Sequence, residues 1–189
     1  MKKYAKDYLW LAVLIGVVIS LDQWTKALVR ARLEFSYTWT PWEWLAPYAR
    51  IVNWKNTGAA FGLGQNLNAN TPLMILACVV ILMILYYYPQ IPRHDWPLRL
   101  ALGLQLSGAL GNLIDRVARG YVTDFISIGS FAVFNVADSS ISIGVAVLII
   151  GMWLQERKTA SSSQESDALP DGAENHPEGG NLSYDESSH

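Results

Sequence analysis

Four stretches of this chain, at about residues 8–24, 71–88, 96–114 and 136–154, are made almost wholly of apolar residues, over lengths close to the ~20 that a helix needs to cross a hydrocarbon layer. Backbone groups in lipid must find their hydrogen bonds within the segment, so each stretch reads as a helix. The 51% hydrophobic content supports this because the apolar residues come in blocks. The expected fold is a mainly α membrane protein, four transmembrane helices with a small extracytoplasmic β/aromatic cap.

The first stretch follows Lys2, Lys3 and Lys6, a basic start that also suits a signal peptide. No cleavage signal of small residues follows it. The chain runs instead into Asp22-Gln23-Trp24-Thr25-Lys26, which makes it a span with a polar outer end where Asp22 and Lys26 are one helical turn apart. A plain ion pair at the headgroup level is the simplest role for those two. The second stretch ends in Tyr86-Tyr87-Tyr88 before Pro89, and the third carries Gly103, Ser107, Gly108 and Gly111, small residues that let helices approach closely in lipid.

Residues 33–65 have no helical period but hold Tyr37, Trp39, Trp42, Trp44, Tyr48 and Trp54, side chains that favour a membrane–water interface. Short strands are expected at Phe35–Trp39 and Arg50–Trp54 of this cap. Residues 1–158 form one membrane domain. The remainder, 159–189, has seven acids and no Lys or Arg, is almost free of large apolar groups, and is expected to be a disordered acidic tail. The other nine acids stand against all 14 bases, so the membrane domain is basic although the whole chain is at −2. Those bases divide seven and seven between the two sides of four spans, and charge bias does not orient the protein.

Cys78 lies inside an apolar run, His94 in a polar turn, and His176 and His189 in the tail. No His-based nucleophile or zinc site can be assembled from them, so chemistry falls to carboxylates or a lysine, with no metal and no cofactor expected. Three aspartates stand among apolar residues between Gly108 and Ser140. Asn112, Asp115 and Arg116 share one helix face, where a satisfied Asp–Arg network is a sufficient role for Asp115. Asp124 is read on an alternating strand, on the side of Val122, Ile126 and Ile128, where a carboxyl is desolvated. Asp138 begins the fourth span and taken alone reads as a helix N-cap. A hairpin turning at Gly129-Ser130 can also bring it to Asp124, and two close carboxyls share one proton.

Asp22-Gln-x-Thr-Lys26, Asn56-x-Gly58-x-Ala-Phe61, Gly108-Ala-Leu-Gly-Asn112-Leu-Ile-Asp115-Arg116, Val122-x-Asp124-Phe125 and Phe134-Asn135-x-Ala137-Asp138 resemble, in order, five blocks of the lipoprotein signal peptidases (signal peptidase II). The resemblance covers about residues 8–158. It implies a bacterial inner-membrane aspartic endopeptidase with cytoplasmic termini and its active site near the outer face. Its implied partners are membrane lipids and prolipoproteins cleaved before a diacylglyceryl-modified cysteine, with no nucleic acid, and the enzyme is expected to be a monomer. It assigns Asp124 and Asp138 to catalysis. Asn56, Gly58, Asn112, Arg116, Asn135 and Ala137 fall to binding or orienting substrate, and Asp22, Lys26 and Asp115 to a structural polar set. A proton-coupled transporter, an assembly factor and a Ser–Lys protease are the rival readings. Clustering of the carboxylates at one end of the spans, the lack of a structural role for Asp124, and the acid beside Lys26 weigh against them in turn.

Overall fold

The computed structural model describes residues 2–58 and 69–167, with side chains from 8 to 58 and 69 to 157. Ala60, Phe61, the end of the cap and residues 168–189 lie outside the described residues. Four helices, α1 (Lys2–Arg32), α2 (Asn70–Tyr87), α3 (Trp96–Arg119) and α4 (Val136–Asp167), accompany an antiparallel sheet of β1 (Thr38–Trp39), β2 (Ala49–Asn56) and β3 (Val122–Ile128) in the order β1-β2-β3.

Among the described residues three helical segments are long and apolar enough to cross a membrane, Tyr8–Arg32, Asn70–Gln90 and Val136–Arg157, which makes this a multi-pass membrane protein. Their outward faces are apolar, as Val13, Val17, Leu76, Leu82, Ile149 and Ile150 illustrate. α3 does not reach that standard among the described residues. It is the inner helix, and its buried face includes Arg99, Ser107, Asn112 and Asp115 among small and apolar residues. A helix covered by its neighbours can carry polar side chains inward that a lipid-facing helix cannot.

Leu106 of α3, Leu11 of α1, Ile81 and Ile84 of α2 and Tyr88 just after α2 form the buried core. Close approach to α3 depends on its small residues. A Cβ on Gly111 would stand 2.9 Å from Asp22 Oδ2 and 3.3 Å from Ala137 Cβ, so α1 and α4 both press against this position.

Three helix ends differ from expectation, and one of them is that of α3, which runs to Arg119 rather than 114. α1 continues to Arg32 rather than ending near 24, so Asp22 and Lys26 stand inside a helix. α4 runs on through Asp167, past the limit at 158, because the helix formers Gln155, Glu156, Arg157 and Lys158 carry it beyond the apolar run.

The sheet packs on the C-terminal end of α1. Its strands fall near the expected places but shorter in β1 and longer in β2, since cross-strand pairing sets their ends: Thr38 opposite Val52, Ala49 opposite Ile128, Asn56 opposite Val122. The register shifts between Ile51 and Trp54, leaving the Asn53 side chain to tie the strand to the residue just after α1 by donating to the Leu33 carbonyl at 2.8 Å. β3 is not the simple alternating strand expected. Val122, Thr123, Asp124 and Phe125 are all buried, because β3 is covered on both faces where it meets the helices.

Candidate active site

After β3 the chain turns at Gly129, whose φ of +53° suits glycine. It returns so that the Phe134 carbonyl accepts from the N–H groups of Phe125 and Ile126, at 3.0 and 2.8 Å. That short pairing sets Asn135 beside Asp124 and begins α4. Asn135 caps the helix. Its Oδ1 accepts from the Asp138 N–H at 3.0 Å while Asp138 Oδ2 accepts from the Asn135 N–H at 3.2 Å, a reciprocal capping box. Asp138 is therefore the third helical residue, not the cap itself, and its other oxygen faces the site.

Asp124 is 1% exposed. Its two oxygens accept from Asn56 Nδ2 at 2.9 Å and Asn135 Nδ2 at 2.7 Å. Asn56 is oriented in turn by Gly58, which takes φ +90° and donates its N–H to Asn56 Oδ1 at 2.9 Å, leaving the amide nitrogen to face Asp124. Burial pushes the Asp124 carboxyl up to about 6; the Asn56 hydrogen bond opposes this, and the Asp138 charge adds to it.

Two amides join the carboxylates. Asn135 Nδ2 donates to Asn112 Oδ1 at 3.1 Å as well as to Asp124, and Asn112 Nδ2 donates to Asp138 Oδ1 at 2.7 Å. The order Asp124–Asn135–Asn112–Asp138 thus uses both amide protons of Asn135 and one of Asn112 and leaves both carboxylates as acceptors. Arg116 stands where the charges of Asp138 and Asp124 both reach it. Its Nε is buried without a hydrogen-bond partner among the described residues.

Behind this chain lies a second cluster. Lys26 is 0% exposed and directs its three protons to Asp22 Oδ2 at 2.8 Å, Asp115 Oδ2 at 3.2 Å and Asn112 Oδ1 at 3.0 Å. The Asp22–Lys26 pair is accordingly a buried charge network rather than a headgroup-level ion pair. Asp22 also accepts the Ala137 N–H at 2.9 Å, fastening the first turn of α4 to α1. Ala137 is fully buried there against Gly111. Asp115 takes Arg119 Nη1 at 3.1 Å, Arg30 Nη1 at 4.0 Å and the Thr123 N–H at 3.2 Å, so its guanidinium partners are Arg119 and Arg30 rather than Arg116. Arg116 is left to the side of Asp138 and Asp124.

Sequence reading missed four members of this cluster: Gln23, Arg30, Arg119 and Thr123. Arg30 was within reach of periodicity, since 22, 26 and 30 share one helix face. It donates to Thr123 Oγ1 at 2.9 Å. Among the described residues no three His, Cys, Asp or Glu side chains gather as a metal site.

The family model described as signal peptidase (SPase) II matches residues 14–154. A lipoprotein signal peptidase of Halalkalibacterium halodurans is 39% identical over 146 residues, covering 75% of this chain and 90% of its own. One of Mesorhizobium japonicum is 35% identical over 157 residues, 81% of this chain and 90% of its own. A solved bacterial membrane enzyme superposes with a TM-score of 0.68 at 28% identity, over 77% of this chain and 88% of its own.

Proposed function

The chain belongs to the signal peptidase II family of aspartic-type signal peptidases, and on that premise we propose that it cleaves prolipoproteins before a diacylglyceryl-modified cysteine with Asp124 and Asp138 as the catalytic pair. The observation that carries this reading is the buried amide-linked pair itself, in which Asp124 holds a proton more tightly than an ordinary aspartate does.

Two neighbouring carboxyls divide the work of peptide hydrolysis between them. The ionised one accepts a proton from a water molecule as its oxygen attacks the scissile carbonyl carbon. The protonated one donates to the carbonyl oxygen. The tetrahedral adduct then breaks at its C–N bond while the proton first taken from water passes to the departing amine and one adduct hydroxyl returns its proton to the carboxylate that acted as the acid, so the pair ends with one proton as it began. Asn56, Asn112 and Asn135 hold the two carboxylates still through both steps. The buried, unpartnered Nε of Arg116 supplies a donor for a substrate carbonyl. Asp22, Lys26 and Asp115 fasten α1, α3 and the start of α4 behind the pair.

Placement at the membrane follows from the same elements. α3 has 24 residues, about 36 Å of helix, enough to cross ~30 Å of hydrocarbon as a fourth span. Four spans put both termini on one side, which we assign to the cytoplasm. The sheet and the aspartates then lie at the outer face of the inner membrane, at the depth where a lipid-anchored substrate presents its scissile bond. Every group in the mechanism comes from one chain, so the enzyme acts as a monomer.

The test is direct. Purified protein in detergent, given a diacylglyceryl-modified prolipoprotein, should release the signal peptide on a gel, and the unmodified precursor should remain uncut. Equal cutting of both forms would remove the lipid requirement, and cutting of neither would remove the assignment.

A further inference from the structure

Between the C-terminal end of α1 and the sheet lies a groove of about 520 Å³, a volume typical of small-molecule sites, which span roughly 300–1,000 Å³. Leu28 and Val29 of α1 and Leu33 just beyond it form one wall, and Ile51 and Phe125 of the sheet form the other. Thr25 also lines it, but its hydroxyl donates back within the helix to the Leu21 and Asp22 carbonyls at 2.8 and 2.9 Å. A peptide backbone would find almost no hydrogen-bond partners in such walls, whereas a hydrocarbon chain needs none.

The groove is separate from the dyad. Successive side chains of a strand point to opposite faces, and Phe125 faces the groove while Asp124 faces Asn56 and Asn135. At the mouth is Arg32, an exposed guanidinium that makes no ion pair among the described residues. Arg32 is also where the apolar span ends. The chain beyond it exposes Tyr37, Trp42, Trp44 and Tyr48, side chains suited to the headgroup layer. An apolar slot opening at that depth beside an uncompensated cation complements a molecule with a hydrocarbon tail and an anionic head.

We propose that this groove holds one acyl chain of an anionic glycerophospholipid of the host membrane, with the lipid phosphate on Arg32. The tail packs on Phe125 and supports β3 from the face opposite the carboxylates. The proposal does not depend on the catalytic assignment.

It is tested with the full-length protein in phosphatidylcholine nanodiscs containing a little phosphatidylglycerol that carries a photoreactive diazirine on one acyl chain. After irradiation, adducts mapped by mass spectrometry should concentrate at Leu28–Leu33, Ile51 and Phe125. They should exceed those at Val13 and Val17, exposed positions of the same helix. Unlabelled phosphatidylglycerol should suppress them several-fold and phosphatidylcholine should not; Arg32→Gln should reduce them by a similar factor. Val29→Trp, which fills the slot, should abolish them, and the surface change Arg32→Gln keeps the test independent of any folding defect that Trp brings. Adducts spread evenly along α1, or formed equally from labelled phosphatidylcholine, would overturn the proposal. Adducts displaced by a diacylglyceryl prolipoprotein but not by phosphatidylglycerol would assign the groove to the substrate's own lipid and overturn it as well.

Discussion

Lys26 Nζ donates to Asn112 Oδ1 across 3.0 Å, and that bond decides which way the Asn112 amide faces. With its oxygen turned to the ammonium, its nitrogen must donate to Asp138, which it does at 2.7 Å. A fully buried cation thus orients Asp138, a carboxylate of the proposed dyad that it does not touch. Asn112→Asp tests the relay, because the new carboxylate can still pair with Lys26 but offers no amide proton to Asp138. Loss of one hydrogen bond to a charged group, ~1.5–3 kcal/mol, should lower the melting temperature and also lower kcat about tenfold or more. Steady-state kinetics would contradict the relay if only KM moved.

Lys26 itself holds Asp22 and Asp115 together, and all three are 0% exposed. Lys26→Met leaves two buried carboxylates without their shared cation, a loss on the order of 3–5 kcal/mol. It should appear as a large fall in melting temperature and in yield of folded protein. Lys26→Arg should not restore either, because a planar guanidinium cannot direct three protons to acceptors arranged around a point. An arginine variant as stable as the parent would show that charge alone suffices.

Much of this was legible in the residues, and what was not has a physical reason. Asp124 stood out because a carboxylate among apolar strand residues has no cheap structural role. The burial of Lys26 was not visible, since Asp22 and Lys26 one turn apart look the same on a surface as in a core. Their burial depends on Asp115 and Asn112, nearly ninety residues later in the chain. Nor could spacing show that Asp138 is the third residue of α4, because that follows from where Asn135 stops the hairpin. The four helices were legible from length and apolarity, although α3 satisfies those criteria least because its polar groups point inward.

The raised Asp124 value carries a stability consequence. From its ordinary 3.8 to about 6 the folded state binds more protons at Asp124 than the unfolded state does, so this group lowers stability as pH rises through that window. Asp124→Asn removes the contribution. The melting temperature of the variant minus that of the parent should therefore increase from pH 4 to pH 7, whatever the other carboxylates do in both proteins. A flat difference would mean that Asp124 ionises as an ordinary exposed aspartate, and a falling one that its carboxylate is favoured in the folded state; either would contradict the raised value.

A carboxylate mechanism requires no metal ion. Cleavage should be unchanged by EDTA at concentrations that strip divalent ions. Inactivation that one divalent ion reverses would contradict the mechanism.

The account rests on Asp124 and Asp138 acting as one catalytic unit, and the most direct measurement is the cleavage rate of a diacylglyceryl prolipoprotein by Asp124→Asn, Asp138→Asn and the double variant. Each single change keeps shape but removes proton transfer, so each should cost at least ~10²–10⁴ in rate, and the double variant should be little worse than either. Near-normal turnover by Asp138→Asn, with only the melting temperature lowered as loss of the capping box would do, would contradict the account and confine Asp138 to starting α4.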